Sequence, residues 1–97
     1  MTRALVKGHQ PESSIKSAVR RYLQWNGWFC FPIQQSALSY RGLPDLFAVK
    51  DGTVYAIECK TATGKLSGYQ EQVRDDWQGK GGVYIVAKCI EDVEGLH

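Results

Sequence analysis

The chain has 97 residues, 43% hydrophobic, 23% charged and 11% aromatic, with 12 Lys and Arg against 10 Asp and Glu for a net charge of +2. That length admits one domain, and that composition excludes disorder over most of the chain and a disulfide-stapled miniprotein. No apolar run reaches the ~20 residues of a membrane helix, the amino-terminal stretch lacks the apolar core of a secretory signal, and so small a net charge does not by itself announce a nucleic-acid partner.

Placement says more than the sum. Lys16, Arg20, Arg21 and Arg41 fall in the first half, whereas Asp75, Asp76, Glu91, Asp92 and Glu94 crowd the second, so a local basic face is compatible with the near-neutral total. The cysteines are odd in number and far apart (Cys30, Cys59, Cys89), with no CxxC pair. They point to reduced thiols and a cytoplasmic setting rather than to disulfides or zinc. His9 and His97 sit at the chain ends, which leaves a histidine-based catalytic scheme without its base.

Residues 1–10 are polar and aperiodic and are expected to be flexible, with 11–97 forming the single folded domain. Pro11 suits a first helical turn, and Glu12 sits at the favourable end of the helix dipole. Ile15, Ala18, Val19, Tyr22 and Leu23 then recur at helical spacing, and Gly27 closes a helix over about 11–26. Trp28 to Gln34 reads as a first strand, with Pro32 marking an edge or a bend. A polar loop leads to Gly42-Leu43-Pro44. Leu46 to Lys50 and Thr53 to Lys60 read as a hairpin around the Asp51-Gly52 turn. Ser67 and Gln70 have capping-box spacing and open a second helix running to about Gln78. Gly79 to Gly82 break it, Val83 to Ala87 form a last strand, and Ile90 to Leu96 a terminal helical turn. The order αβββαβ predicts an α/β fold, a small mixed sheet flanked by helices with a parallel crossover between the last two strands.

The hairpin register locates the chemistry. With Asp51 and Gly52 as turn residues, Lys50 faces Thr53, and five steps on Asp45 faces Glu58. Opposed side chains lie on one face with Cβ atoms about 4.5–5.5 Å apart, and Lys60, two residues past Glu58, shares that face. Directly opposed like charges destabilise a sheet, so the pair asks for a counter-charge. One explanation is a strand end at a solvated rim bridged by Lys60. The other is magnesium or manganese held by both carboxylates and a backbone carbonyl, where the ion would serve phosphate-ester hydrolysis with Lys60 beside it. Cys59, between Glu58 and Lys60, points to the opposite, buried face with Tyr55 and Ile57, so its thiol belongs to the core.

Gly42-Leu43-Pro44-Asp45 followed by Ile57-Glu58-Cys59-Lys60 resembles the PD-(D/E)xK nuclease signature. With Glu12 on the first helix, Thr61 and Gly64-Lys65-Leu66-Ser67 after the strand, and Gln70 at a helix start, residues 11–93 resemble the VRR-NUC (virus-type replication-repair nuclease) family in its short standalone phage or bacterial form. The resemblance implies a restriction-endonuclease-like core. Asp45 and Glu58 would be the metal-binding acids, with the Cys59 carbonyl as a further ligand, Lys60 the catalytic lysine, Glu12 a helix-one acid assisting the metal, and Gln70 a glutamine lining the site. For Glu12 a dipole-stabilising acid, and for Gln70 simple capping, remain alternative explanations of the same residues. The resemblance further implies a magnesium- or manganese-dependent endodeoxyribonuclease, homodimeric and acting on branched DNA, notably four-way junctions.

The loop before Asp45 is a natural place for phosphate and sugar contacts, so Arg41, Tyr40 and Gln35 are candidate DNA contacts, with Lys65 and Arg20 extending the basic track. The Gly79 to Gly82 run lacks the Lys-Ser/Thr of a phosphate loop, so no nucleotide cofactor is expected. Two further readings remain open at this point: a catalytically silent DNA-binding module of the same fold, and a structural α/β domain whose Asp45, Glu58 and Lys60 form a surface salt bridge.

Overall fold

Helix α1 runs over Glu12–Trp25 because its apolar stripe (Ile15, Val19, Leu23) is fully buried, with Tyr22 partly buried against the same core, while Ser13, Ser17, Arg20, Arg21 and Gln24 are exposed. Pro11 stands before it as an extended N-cap (φ −61°, ψ 149°) rather than within the first turn, and its carbonyl receives the Ser14 and Ile15 N–H groups at 3.1 Å. Gly27, at φ +84°, ends the helix as expected. The computed structural model describes residues 10–36 and 39–96, so the flexible stretch expected over 1–10 lies, Gln10 aside, outside the described residues.

Strand β1 (Phe29–Pro32) is shorter than the Trp28 to Gln34 run suggested. Trp28 turns inward and meets Tyr55 edge-on at 4.8 Å between ring centroids. Pro32, which has no N–H to donate, closes the far end. β1 is an edge strand, as a proline within a strand requires. Strands β2 (Leu46–Lys50) and β3 (Thr53–Cys59) form the hairpin in the anticipated register, Lys50 opposite Thr53 and Leu46 opposite Ile57. Its turn residues Asp51 and Gly52 take φ +54° and +82°, the left-handed pair that a tight hairpin of this hand demands.

Helix α2 (Gly68–Gly79) carries the chain from β3 across to β4 (Val83–Ala87), which pairs parallel to β3, and a short 3-10 turn over Ile90–Asp92 follows. The sheet order is β1-β2-β3-β4. α1 covers one face, packing Ile15, Val19 and Leu23 on Leu46, Ala48, Ile57 and Cys59. α2 covers only part of the other, setting Val73 on Ala56 and Tyr84, with Phe47 and Trp77 stacked at their margin. The rest of that face, on β1, carries Phe29 and Phe31, which stay 68% and 37% exposed. Among the described residues no helix is long and apolar enough to cross a membrane.

Ser67 caps α2 in a complete capping box: its hydroxyl accepts from the Gln70 N–H at 3.2 Å, and the Gln70 Oε1 accepts from the Ser67 N–H at 2.9 Å. Ser67→Ala is expected to cost about 1 kcal/mol, read as a lower urea midpoint at unchanged m-value.

Candidate active site

The β2–β3 ladder stops one step short of Asp45 and Glu58, and side chains take over there. Asp45 Oδ2 accepts the Cys59 N–H at 2.8 Å, continuing the ladder with a carboxylate in place of a carbonyl. Within a strand the N–H and C=O of one residue point to the same side, so the Cys59 carbonyl is directed toward the Asp45 side of β3. The Cys59 thiol lies under α1, and burial foremost pushes its pKa up to about 12.

Glu58 is 2% exposed, far from the solvated rim considered on sequence alone. Its Oε2 is engaged twice, by Lys60 Nζ at 3.3 Å and by Gln70 Nε2 at 3.0 Å. Its Oε1 is buried with no hydrogen-bond partner. Gln70 therefore caps α2 with its oxygen while its nitrogen reaches the acid, so both readings of that residue hold geometrically. Glu12, at the start of α1, brings a third carboxylate, and one oxygen each from Glu12, Asp45 and Glu58 lie within 4.8 Å of one another. Burial raises the Glu58 pKa from 4.5 to about 7, Asp45 adds to the rise, and Lys60 opposes it. An unpartnered buried oxygen inside an all-oxygen acid cluster fits a hard divalent cation.

The loop leading to Asp45 is bolted to α2. Gly42 has φ +84°, and a Cβ there would come within 2.4 Å of the Tyr69 carbonyl oxygen, so glycine is required both by conformation and by contact. Gln35 turns its amide inward, donating to the Leu43 and Pro44 carbonyls at 2.8 and 3.3 Å, and so braces the approach to Asp45. Gln35, Tyr40 and Arg41 line one cleft of about 510 Å³ with Glu12, Asp45, Glu58, Lys60, Tyr69 and Gln70. Arg20 and Lys65 do not line it. Arg20 sits two helical turns from Glu12, ~12 Å along α1, near Cys30, whose pKa it lowers slightly against burial. Lys65 is exposed in the segment between β3 and α2. Tyr69 was missed by the sequence reading: it is a solvent-facing residue in the first turn of a helix, and only its spacing of one residue before Gln70 hinted at the site.

The family model of archaeal Holliday junction resolvase (Hjc) matches residues 6–75. The chain belongs to the Hjc family. No curated protein matches the chain. Among solved structures it is similar to a VRR_NUC domain, at a TM-score of 0.74 and 18% identity over 88% of this chain and 91% of that one. It is also similar to Hjc of Archaeoglobus fulgidus, a Holliday junction resolvase from an archaeal hyperthermophile, at a TM-score of 0.58 and 23% identity. That second match covers 76% of this chain and 64% of the neighbour. The two likenesses establish the restriction-endonuclease-like fold that the VRR-NUC resemblance implied, and the Hjc membership places the chain among nucleases of the PD-(D/E)xK type.

The raised Glu58 pKa has a thermodynamic consequence. Over about pH 4.5–7 the folded state keeps a proton that the unfolded chain has lost, so raising the pH through that window weakens the fold. In the metal-free protein the unfolding free energy from urea titrations is expected to fall between about pH 5 and pH 7, and Glu58→Gln is expected to remove that part of the slope. A wild-type slope that survives in Glu58→Gln would assign it to other groups.

Proposed function

We propose that this Hjc-family protein is a magnesium- or manganese-dependent endonuclease that hydrolyses phosphodiester bonds in four-way DNA junctions, acting as a homodimer. The observation that carries the reading is the buried Glu58 oxygen without a partner, set among Glu12 and Asp45 and beside Lys60. Family membership supports the junction as substrate.

Asp45, Glu58 and the Cys59 carbonyl would hold the ion, with Glu12 at its margin. When bound, the ion supplies Lewis-acid stabilisation of phosphate charge and lowers the pKa of water. The chain's own groups do the rest. Gln70 and Lys60 hold Glu58 Oε2, which fixes the carboxylate and leaves Oε1 without a hydrogen-bond partner. The Lys60 ammonium, only 15% exposed in its side chain, stands where it can orient an attacking water and offset charge developing on the scissile phosphate. The Asp45 bond to Cys59 keeps the acid and the strand end in register.

Homodimerisation is supported by the uncovered aromatic face of the edge strand, Phe29 and Phe31 beside Phe47. A 97-residue chain gains burial from a second copy laid there, and two-fold symmetry would present one site to each of two strands.

The deciding experiment is cleavage of a labelled four-way junction beside a linear duplex of matched sequence, in magnesium, manganese and EDTA. Paired, metal-dependent nicks confined to the junction are expected. Asp45→Asn, Glu58→Gln and Lys60→Ala are each expected to lower the rate by on the order of 10²-fold or more while the protein stays folded by circular dichroism. Equal cutting of both substrates would remove the junction preference, and junction binding without cutting would leave a DNA-binding module. For the assembly, Phe31→Asp is expected to shift the sedimentation coefficient to that of a monomer and to uncouple the two nicks.

A further inference from the structure

Two cations line the cleft among the described residues, and their circumstances differ. Lys60 is paired with the Glu58 carboxyl at 3.3 Å. Arg41 has no carboxylate partner among the described residues. Its Nη1 donates to the Tyr69 hydroxyl at 2.9 Å, and its guanidinium carbon lies 5.1 Å from the centroid of the same ring. A phenol holds a guanidinium in place without cancelling its charge, whereas a carboxylate would cancel it. The hold is itself rigid: the Gly42 backbone packs on the Tyr69 carbonyl, the next residue is Gln70, and Gln70 reaches Glu58. The orientation of Arg41 is thereby referred to the acid cluster through one short stretch of helix α2.

With a divalent ion on the three carboxylates and Lys60 beside them, the positive charge of the site is taken up by its own acids, so a phosphate next to the scissile one meets no spare cation there. An uncancelled guanidinium at the cleft wall, with one N–H on a phenol and a planar fork of further donors, supplies positive charge in a geometry that suits phosphate oxygens. We propose that Arg41 binds a backbone phosphate next to the one cleaved, and that Tyr69 is the positioning residue that sets its orientation. The proposal rests on the nuclease reading for its substrate and adds to it a residue outside the PD-(D/E)xK pattern. The exposed Tyr69 ring is not part of the core, since α2 buries Val73 and not Tyr69 against the sheet.

The test is binding and cleavage of the four-way junction by wild type, Tyr69→Phe, Tyr69→Ala, Arg41→Ala and the Arg41→Ala/Tyr69→Phe double variant. Affinity is measured in calcium over a salt series, and kcat and KM in magnesium. Both side chains are exposed, so melting temperatures should match wild type. Arg41→Ala is expected to weaken binding about tenfold and to reduce the slope of log affinity against log salt by about one, as loss of one phosphate contact requires. Tyr69→Phe is expected to raise KM several-fold with kcat little changed, and the double variant to be no worse than Arg41→Ala alone, because Tyr69 acts through Arg41. Additive effects, an unchanged salt slope in Arg41→Ala, or a Tyr69→Phe protein that matches wild type would overturn the proposal while leaving the nuclease reading intact. A wild-type protein that binds no DNA overturns both. A wild type that binds without cutting removes the nuclease reading alone, and the affinity series still decides the role of Arg41 and Tyr69.

Discussion

The structure turns on a carboxylate placed where water does not reach it. Glu58 lies next to the last residue of the central strand β3, between β2 and β4, and a charge buried there is disfavoured unless it is paired. Lys60 and Gln70 engage one of its oxygens and leave the other without a partner. Left like that, the group holds its proton up to about pH 7. In the proposed reaction a hard cation shared with Asp45 and Glu12 would remove the conflict by adding positive charge to the acid cluster. Stability and the proposed chemistry thus meet at one side chain: the buried carboxylate that weakens the fold as the pH rises is the one offered to an ion in the nuclease reading.

The neighbouring elements exist, in effect, to hold that group still. The hairpin turn sets the register that brings Asp45 opposite Glu58, and Asp45 then locks onto the Cys59 N–H. The capping box that starts α2 also directs Gln70 at Glu58, so the helix could not shift by one residue without losing both its cap and that contact. Gly42 ties the opposite wall of the cleft to the same helical turn. Strand end, the segment from Gly42 to Asp45 and the helix start are therefore tied to one another, and fixed geometry of this kind is what hydrolysis at a single phosphate demands.

The two faces of the sheet divide the work differently. α1 and the terminal 3-10 turn together cover one face, with Ile15, Val19 and Leu23 buried against β2 and β3 and Val93 buried in the same core. α2 sits over the β3–β4 half of the other, which leaves the aromatic residues of β1 facing outward and the cleft open along the helix start. A short chain with one incompletely covered sheet face is well suited to assembly with a second copy.

The sequence alone determined the elements, their order and the meeting of Asp45, Glu58 and Lys60. Helical periodicity, the Asp51-Gly52 turn and the period-two alternation of β3 are local properties, and a two-residue turn leaves one register. Strand β1 was read too long, because the chain after Trp28 is aromatic throughout and only packing decides that Trp28 goes inside while Phe29 and Phe31 stay out. Tertiary structure alone decided how deeply Glu58 is buried, that Gln70 serves cap and acid together, and that Gln35 braces the loop. It also paired Arg41 with Tyr69 and left Arg20 and Lys65 outside the cleft. Those outcomes depend on where α1 and α2 dock on the sheet, and contacts between residues far apart in the chain leave no periodic trace in it.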